Sequence, residues 1–304
     1  MIYTITLNPA VDYQMEFSDP LHSKGVNLAD HAYLHAGGKG INGSMLLSNL
    51  GIHSTVLSFL GGFTGSYIEE QIGFYSFIDN QSTKISEPNR INVKVKDGPE
   101  YVLNTKGPAI PEEAQQDLLS HLDHLKKEDY VMICGRAANG IDITFLYELA
   151  DRVNEAGAKL IMDTADCRLE DLVYCSPFLI KPNLEELSEL LKEEVTMQNC
   201  AAAVEEVLQK GTKNVLLTMG AQGGYFDGKL GRFVLKSPEV PVISTNGAGD
   251  AALAAFIGTY QSSKNVEEAL KMSMAAGTAS VQTEDIPDYQ SIMAAYNEVK
   301  ISRI

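Results

Sequence analysis

Residues 130–163 read YVMICGRAANGIDITFLYELADRVNEAGAKLIMD. Tyr130–Cys134 is apolar throughout, Ile143–Glu155 repeats its apolar residues at helical spacing, and Lys159–Asp163 is apolar in its middle. Strand, helix, strand in that order is a crossover unit, and strands without polar alternation are the kind a parallel sheet buries on both faces. The same rhythm extends in both directions. Ile2–Leu7, Thr55–Phe59, Phe178–Ile180 and Val215–Thr218 read as strands, and Gly40–Leu50, Pro111–His121, Leu184–Leu191 and Ala201–Lys210 as helices. This alternation predicts a doubly wound, three-layer α/β/α sandwich. Ala248–Tyr260 and Val266–Gln282 read as helices whose Ala and Gly content lets them pack closely.

Two segments break the rhythm. Asp12–Ser18 (DYQMEFS) and Arg90–Asn104 (RINVKVKDGPEYVLN) alternate polar and apolar residues, with a turn over Lys96–Glu100. They predict antiparallel strands with one wet face, a small β-lid inserted at about 12–18 and 90–104 into a single domain spanning 1–304.

Composition narrows the classes. Apolar residues make up 44% and charged residues 21% of 304, as in an ordinary soluble globular protein. With 40 acidic against 24 basic side chains, the formal charge is -16, which excludes the basic stripe of a nucleic-acid surface. An anionic ligand would then depend on a local concentration of cations. The opening MIYTITLNPAVD lacks a basic region before its short apolar run and reads as a strand, and no stretch approaches membrane-span length. The expectation is a cytoplasmic protein without membrane or nucleic-acid partners. Cys134, Cys167, Cys175 and Cys200 show no metal spacing and read as reduced thiols. His22, His31, His35, His53, His121 and His124 form no pattern suited to metal or proton transfer.

Two glycine-rich turns carry the chemistry. Asn246-Gly247-Ala248-Gly249-Asp250-Ala251 follows the run Val240–Ile243 and opens a helix. The first N–H groups of a helix have no internal partner and sit at the positive end of its dipole, which suits an anion. A carboxylate in the same turn repels a phosphate, unless Asp250 takes a proton from an attacking hydroxyl while the amides of Gly247, Ala248 and Gly249 stabilise a transferring phosphoryl group. The alternative is that Asp250 only caps the helix. The second turn, Gly37-Gly38-Lys39-Gly40-Ile41-Asn42, also opens a helix and brings Lys39 and Asn42 to one side. It is neither a Walker A sequence nor a dinucleotide fingerprint. By itself it is compatible with a plain loop-to-helix turn.

Together with Asn8-Pro9-Ala10-Val11-Asp12 and Lys181-Pro182-Asn183-Leu184-Glu185-Glu186, these turns form an ordered set. From Met1 to about Asp288 the chain resembles the PfkB branch of the ribokinase-like sugar kinases, and TLNPAVD, AGGKGIN and KPNLEEL look most like its 1-phosphofructokinases and tagatose-6-phosphate kinases. The resemblance implies a ribokinase-like fold and ATP-dependent phosphorylation of a ketohexose monophosphate. Fructose 1-phosphate is the leading substrate and tagatose 6-phosphate the alternative. A catalytically silent sugar-phosphate sensor is the alternative of another class.

The resemblance also implies roles. Asp250 is the base, with Gly247, Ala248 and Gly249 as the anion hole. Asp12 meets sugar hydroxyls, Gly38, Lys39 and Asn42 line the sugar-phosphate pocket, and Arg90 on the lid meets the substrate phosphate. Asn183 and Glu186 order Mg²⁺ near the ATP phosphates, an ion that prefers oxygen ligands and keeps its waters. Lys181, Thr218, Gly220 and Gly223 border the nucleotide, with Ala276, Gly277 and Ser280 near the adenine, and the lid pairs two copies into a homodimer. Two bland alternatives stay open: Glu185 and Glu186 as first-turn acids, and Arg90 as a solvated edge charge.

Three departures stand out. Where relatives carry an SGS-LP-type segment, this chain has Cys134-Gly135-Arg136-Ala137-Ala138-Asn139-Gly140. Ala251 replaces the frequent Ser after the base, and Asp163-Thr164-Ala165-Asp166 replaces a DTSG-like stretch. Arg136 stands at the end of a central strand, where such sheets bind ligands, and is a further candidate for the phosphate; the alternative is that it turns outward to a surface acid.

Overall fold

The computed structural model describes residues 1–164 and 166–304; Ala165, within the departing stretch at 163–166, lies outside the described residues. The main sheet runs, edge to edge, Lys300–Arg303, Phe233–Lys236, Gly224–Gly228, Asn214–Thr218, Leu179–Ile180, Lys159–Asp163, Tyr130–Cys134, Ile2–Thr6, Ser54–Gly61 and Ile78–Asn80, and Thr83–Ile85 also pairs with Ser54–Gly61. From Asn214–Thr218 through Ile78–Asn80 neighbours are parallel, and the three strands at the other edge are antiparallel.

The apolar runs are explained by what covers each face. In Tyr130–Cys134, Val131 and Ile133 enter one core with the helices Glu112–Ser120, Ile143–Glu155 and Cys200–Gln209. Tyr130, Met132 and Cys134 enter a second core with Lys39–Asn49, Ala248–Ser263 and Val266–Ser280. Both faces are dry, so no polar alternation survives in the sequence. The last two helices do pack closely: a Cβ at Gly277 would lie 3.4 Å from the Ala248 carbonyl oxygen and 3.5 Å from Ala252. All four cysteines are free thiols, with Cys134, Cys175 and Cys200 buried. Among the described residues no helix is long and apolar enough to cross a membrane.

The lid differs from the expectation in pairing. It is a four-stranded sheet in the order His31–Gly37, Ala10–Glu16, Arg90–Lys96, Glu100–Leu103. Its central pair is parallel, with Asp12 opposite Asn92, and only the outer pairs are antiparallel. A tight turn enforces antiparallel pairing only between the strands it joins, here Arg90–Lys96 and Glu100–Leu103. Ala10–Glu16 and Arg90–Lys96 are far apart in the chain, so no turn dictates their direction. The edge strand His31–Gly37 was not legible, nor were the short helices Gly62–Gly73, Leu169–Cys175 and Tyr289–Tyr296 or the strands beyond Thr218. Val240–Ile243, expected as a run leading into the glycine-rich turn, is irregular and has Val242 and Ile243 exposed.

One close approach fixes the site to the sheet. A Cβ on Gly40 would lie 2.6 Å from Thr6 Oγ1 and 3.2 Å from the Ile5 carbonyl oxygen. The helix Lys39–Asn49 therefore starts directly on the end of Ile2–Thr6, where Ile41 N donates to Thr6 Oγ1 (3.2 Å). Gly40→Ala is expected to cost about 1–3 kcal/mol by overpacking, read as a lower urea midpoint with an unchanged slope; an unchanged midpoint would mean that the contact relaxes freely.

Candidate active site

The parallel strands end at one edge, and the loops leaving them converge there with the lid above. Between lid and sheet lies a cavity of about 520 Å³. It is lined by Asp12, Gly38, Lys39, Asn42, Arg90, Arg136, Asn183, Glu186, Gly247 and Asp250, so the structure brings ten of the expected residues together. The position matches the rule that open α/β sheets bind ligands outside the carboxyl ends of their strands.

Its floor is a charge network. Asp163, at the end of its strand and 4% exposed, receives Lys39 Nζ and Lys181 Nζ at Oδ1, each at 3.4 Å, while its Oδ2 is buried without a partner among the described residues. Lys39 Nζ also lies 3.5 Å from Glu186 Oε1. Burial works to lower the Lys39 pKa, but Asp163, Asp250 and Glu186 outweigh it and raise it. Lys181, 4% exposed, packs under the helix start, since a Cβ on Gly249 would sit 3.0 Å from its Nζ.

The helix Ala248–Ser263 begins over this network. Its first internal donor is Ala251 N, to the Gly247 carbonyl (2.8 Å), so the amides before it face whatever binds in front. Asp250 is half-buried at the same place, and Asn42 Nδ2 donates to its Oδ2 (3.4 Å). Desolvation, then repulsion from Asp163, push its pKa up to about 6, against Lys39, Lys181 and the Asn42 hydrogen bond. Asp250 stands in the first turn of the helix, and among the described residues its side chain accepts from Asn42 and from none of the helix's own amides.

Asn183 and Glu186 form a reciprocal capping box: Glu186 N donates to Asn183 Oδ1 (2.8 Å) and Asn183 N to Glu186 Oε2 (2.9 Å). Both also line the cavity, so the capping box does not take them away from it. Glu185 lines it too. Among the described residues no group of three or more His, Cys, Asp or Glu could hold a metal alone. Of the Glu186 oxygens, Oε2 accepts from Asn183 N and Oε1 lies 3.5 Å from Lys39 Nζ, so the donor set suits only an ion held mainly by phosphates and water.

On the lid, Asp12 is fixed by Asn92 Nδ2 (2.9 Å) and Lys94 Nζ (3.4 Å). Arg90 gives Nε to the Asn8 carbonyl (3.2 Å) and Nη1 to the Thr105 carbonyl (3.3 Å). Burial lowers the Arg90 pKa, with Asp12 acting against it. Arg136 is exposed on the cavity rim and does not turn away to a surface acid: among the described residues neither it nor Arg90 forms a salt bridge.

The remaining expected residues stand apart. Thr218, Gly220, Gly223, Ala276 and Gly277 do not line the cavity. Thr218 adjoins it through backbone pairing with Asn183, Ser280 Oγ would be 3.9 Å from a Cβ on Gly247, and Ala276 is wholly buried in the core. Sequence reading missed Asp163, Asn92 and Lys94. An acid ending an apolar strand was a usable signal for Asp163, and the two-residue period from Arg90 was one for Asn92 and Lys94.

A match to the pfkB family carbohydrate kinase model spans residues 3–286, so the chain belongs to that family of sugar kinases. It is 36% identical to the D-tagatose-1-phosphate kinase of Klebsiella oxytoca, covering 91% of each chain, and 32% identical to the 1-phosphofructokinase of Borreliella burgdorferi, covering 100% of this chain and 99% of that one. The crystal structure of phosphofructokinase-2 from Escherichia coli in complex with substrates and products superposes with a TM-score of 0.90 at 23% identity, over 98% of each chain, which shows the shared ribokinase-like fold.

The electrostatics of Asp250 are open to direct titration. Its carboxyl carbon, followed by NMR, is expected to titrate near pH 6. In Asp163→Asn the midpoint should fall, because a like charge is removed. A midpoint in the ordinary Asp range in both proteins would refute the network as drawn.

Proposed function

We propose that this kinase transfers the γ-phosphoryl group of ATP to a hydroxyl of a ketohexose monophosphate, with fructose 1-phosphate giving fructose 1,6-bisphosphate as the leading reaction. The observation that carries it is Asp250 beside the free amides of a helix start, facing a cavity whose guanidiniums Arg90 and Arg136 have no carboxylate partner among the described residues. For the partly desolvated Arg90 that is costly, and a substrate phosphate would supply the missing charge there and a partner for the exposed Arg136. Against a chain charge of -16, this local set is where an anion gains its binding energy. An unphosphorylated sugar would leave both guanidiniums unmatched.

Asp250 takes the proton of the acceptor hydroxyl, helped by a pKa near the working pH. The amides of Gly247, Ala248 and Gly249 face the charge of the transferring group. Asp12, held by Asn92 and Lys94, orients the sugar, and Lys39 and Asn42 stand between sugar and phosphoryl group. Asn183 and Glu186 are the residues that would hold Mg²⁺, whose charge neutralises the phosphates when bound. Lys181, Thr218, Gly220 and Gly223 would flank the nucleotide, with Ala276, Gly277 and Ser280 behind it. The chain acts as one kinase domain with its lid, in the cytoplasm, where ATP and sugar phosphates are found.

A second reading is favoured by the relative of higher identity, whose name specifies D-tagatose 1-phosphate. That substrate and fructose 1-phosphate carry the phosphate on the same carbon; tagatose 6-phosphate carries it at the other end. An ADP-release screen over the three sugar phosphates, fructose 6-phosphate and free sugars is expected to give the highest kcat/KM with fructose 1-phosphate. Asp250→Asn should lower kcat about 10²–10⁴-fold with the KM for ATP nearly unchanged, and wild-type kcat/KM should fall as pH drops below about 6, since the base must be ionised. No ADP release with any sugar phosphate would leave the silent sensor; half of wild-type kcat in Asp250→Asn would remove Asp250 as the base.

The lid also offers a surface for self-association. On its face away from Asp12, strand register aligns Leu34, Tyr13, Val93 and Leu103 in one row, and Leu34 and Leu103 are 51% and 59% exposed. An apolar row on an open sheet suits pairing with a second copy about a two-fold axis. Light scattering is expected to give twice 33.1 kDa, and Leu103→Glu to shift it toward the monomer. A wild-type monomer at assay concentration would sink the lid-paired dimer.

A further inference from the structure

Building on Arg90 and Arg136 as the phosphate-binding cations, we propose that Asn8 is a positioning residue that sets the placement of both guanidiniums. Asn8 is 6% exposed and lies on the cavity wall. Its Nδ2 donates to the Lys106 carbonyl (3.0 Å) and to the Ala137 carbonyl (3.3 Å), while its own carbonyl accepts Arg90 Nε (3.2 Å). Lys106 follows Thr105, whose carbonyl accepts Arg90 Nη1 (3.3 Å), and Ala137 follows Arg136. One amide therefore ties together the loop that fixes Arg90 from its second side and the loop that presents Arg136. These loops come from 98 and 129 residues further along the chain.

Only a side chain with two N–H donors can hold two carbonyls at once, so Asp, Ser or Ala in this place breaks the clamp. The seat is also sterically closed. Gly107, at φ +85°, passes so close that a Cβ there would overlap Asn8 Oδ1. The same loop is stitched on its far side, where Asn139 Nδ2 donates to the Gly107 carbonyl (2.8 Å) and Ile110 N to the Asn139 carbonyl (2.8 Å). Asn8 thus couples a cation on the lid strand and a cation on the loop after Cys134 into one receptor.

The test is steady-state kinetics with fructose 1-phosphate and ATP. Asn8→Ala and the near-isosteric Asn8→Asp are expected to raise the KM for the sugar phosphate roughly tenfold, the scale of a displaced charged hydrogen bond, with the KM for ATP within about twofold and kcat within about threefold. Gly107→Ala attacks the same clamp from the other side and should give the same split, so it decides the matter if the Asn8 variants are insoluble. In Asn8→Ala combined with Arg136→Ala, the two increases should fall short of their product, because one residue acts through the other. Unchanged sugar-phosphate KM in soluble variants, equal changes in both KM values, or fully multiplicative effects would each overturn the proposal. If Arg90→Ala and Arg136→Ala leave that KM unchanged, the phosphate reading itself falls; if they raise it and neither Asn8→Ala nor Gly107→Ala does, only the clamp falls.

Discussion

The buried carboxylate of Asp163 is the point on which the site depends. It stands at the end of a central parallel strand, almost wholly excluded from solvent, and two lysines share one of its oxygens. Such a group is tolerable in a protein interior only when its charge is answered nearby. Lys181 answers it from the neighbouring strand end, and Lys39 from a helix start pressed against Thr6 by the close approach of Gly40. Asp250 then arrives from a fourth element, and its own desolvation first, with the buried negative charge of Asp163 second, is why its proton is held more tightly than in an ordinary Asp. The network gathers two cations and a poised carboxyl at the floor of the cavity.

Above that floor the lid repeats the logic with a different balance. Asp12 is neutralised by Lys94 and steadied by Asn92, so the lid acid that lines the cavity carries its own partners. Arg90 is held by carbonyls, which orient a guanidinium without cancelling its charge. The difference matters in a strongly acidic chain: cations paired within the protein build the scaffold, and those left to carbonyls and solvent keep their charge uncancelled.

Fold and site were legible to different degrees. The central strands and their helices were readable because both faces of each strand are covered, which leaves contiguous apolar runs, and Tyr130–Cys134, Ile143–Glu155, Lys159–Asp163 and Leu184–Leu191 fall where the pattern puts them. The lid was readable as alternating segments, but its central pairing was not, because alternation says which face is wet and nothing about strand direction. His31–Gly37 is an edge strand with most of its side chains in solvent, so packing leaves little imprint on its sequence. Of the site, the residues inside glycine-rich turns and short motifs were found; Asp163, Asn92 and Lys94 were not, because each stands in an ordinary strand and acquires its meaning from a neighbour distant in the chain.

The sequence by itself determined the alternation of strands and helices, the two helix starts that present free amides, and the family to which their order belongs. These are local properties, set by side-chain period and by the backbone groups a helix must leave unpaired. Only the tertiary structure decided that Lys39, Lys181 and Asp163 meet, that Arg136 stays on the cavity rim without an acid partner among the described residues, and that Asn8 holds two distant loops. The Lys39 and Asn8 contacts join segments 98 to 129 residues apart, and charge and hydrogen bonding act through space, where sequence separation has no bearing.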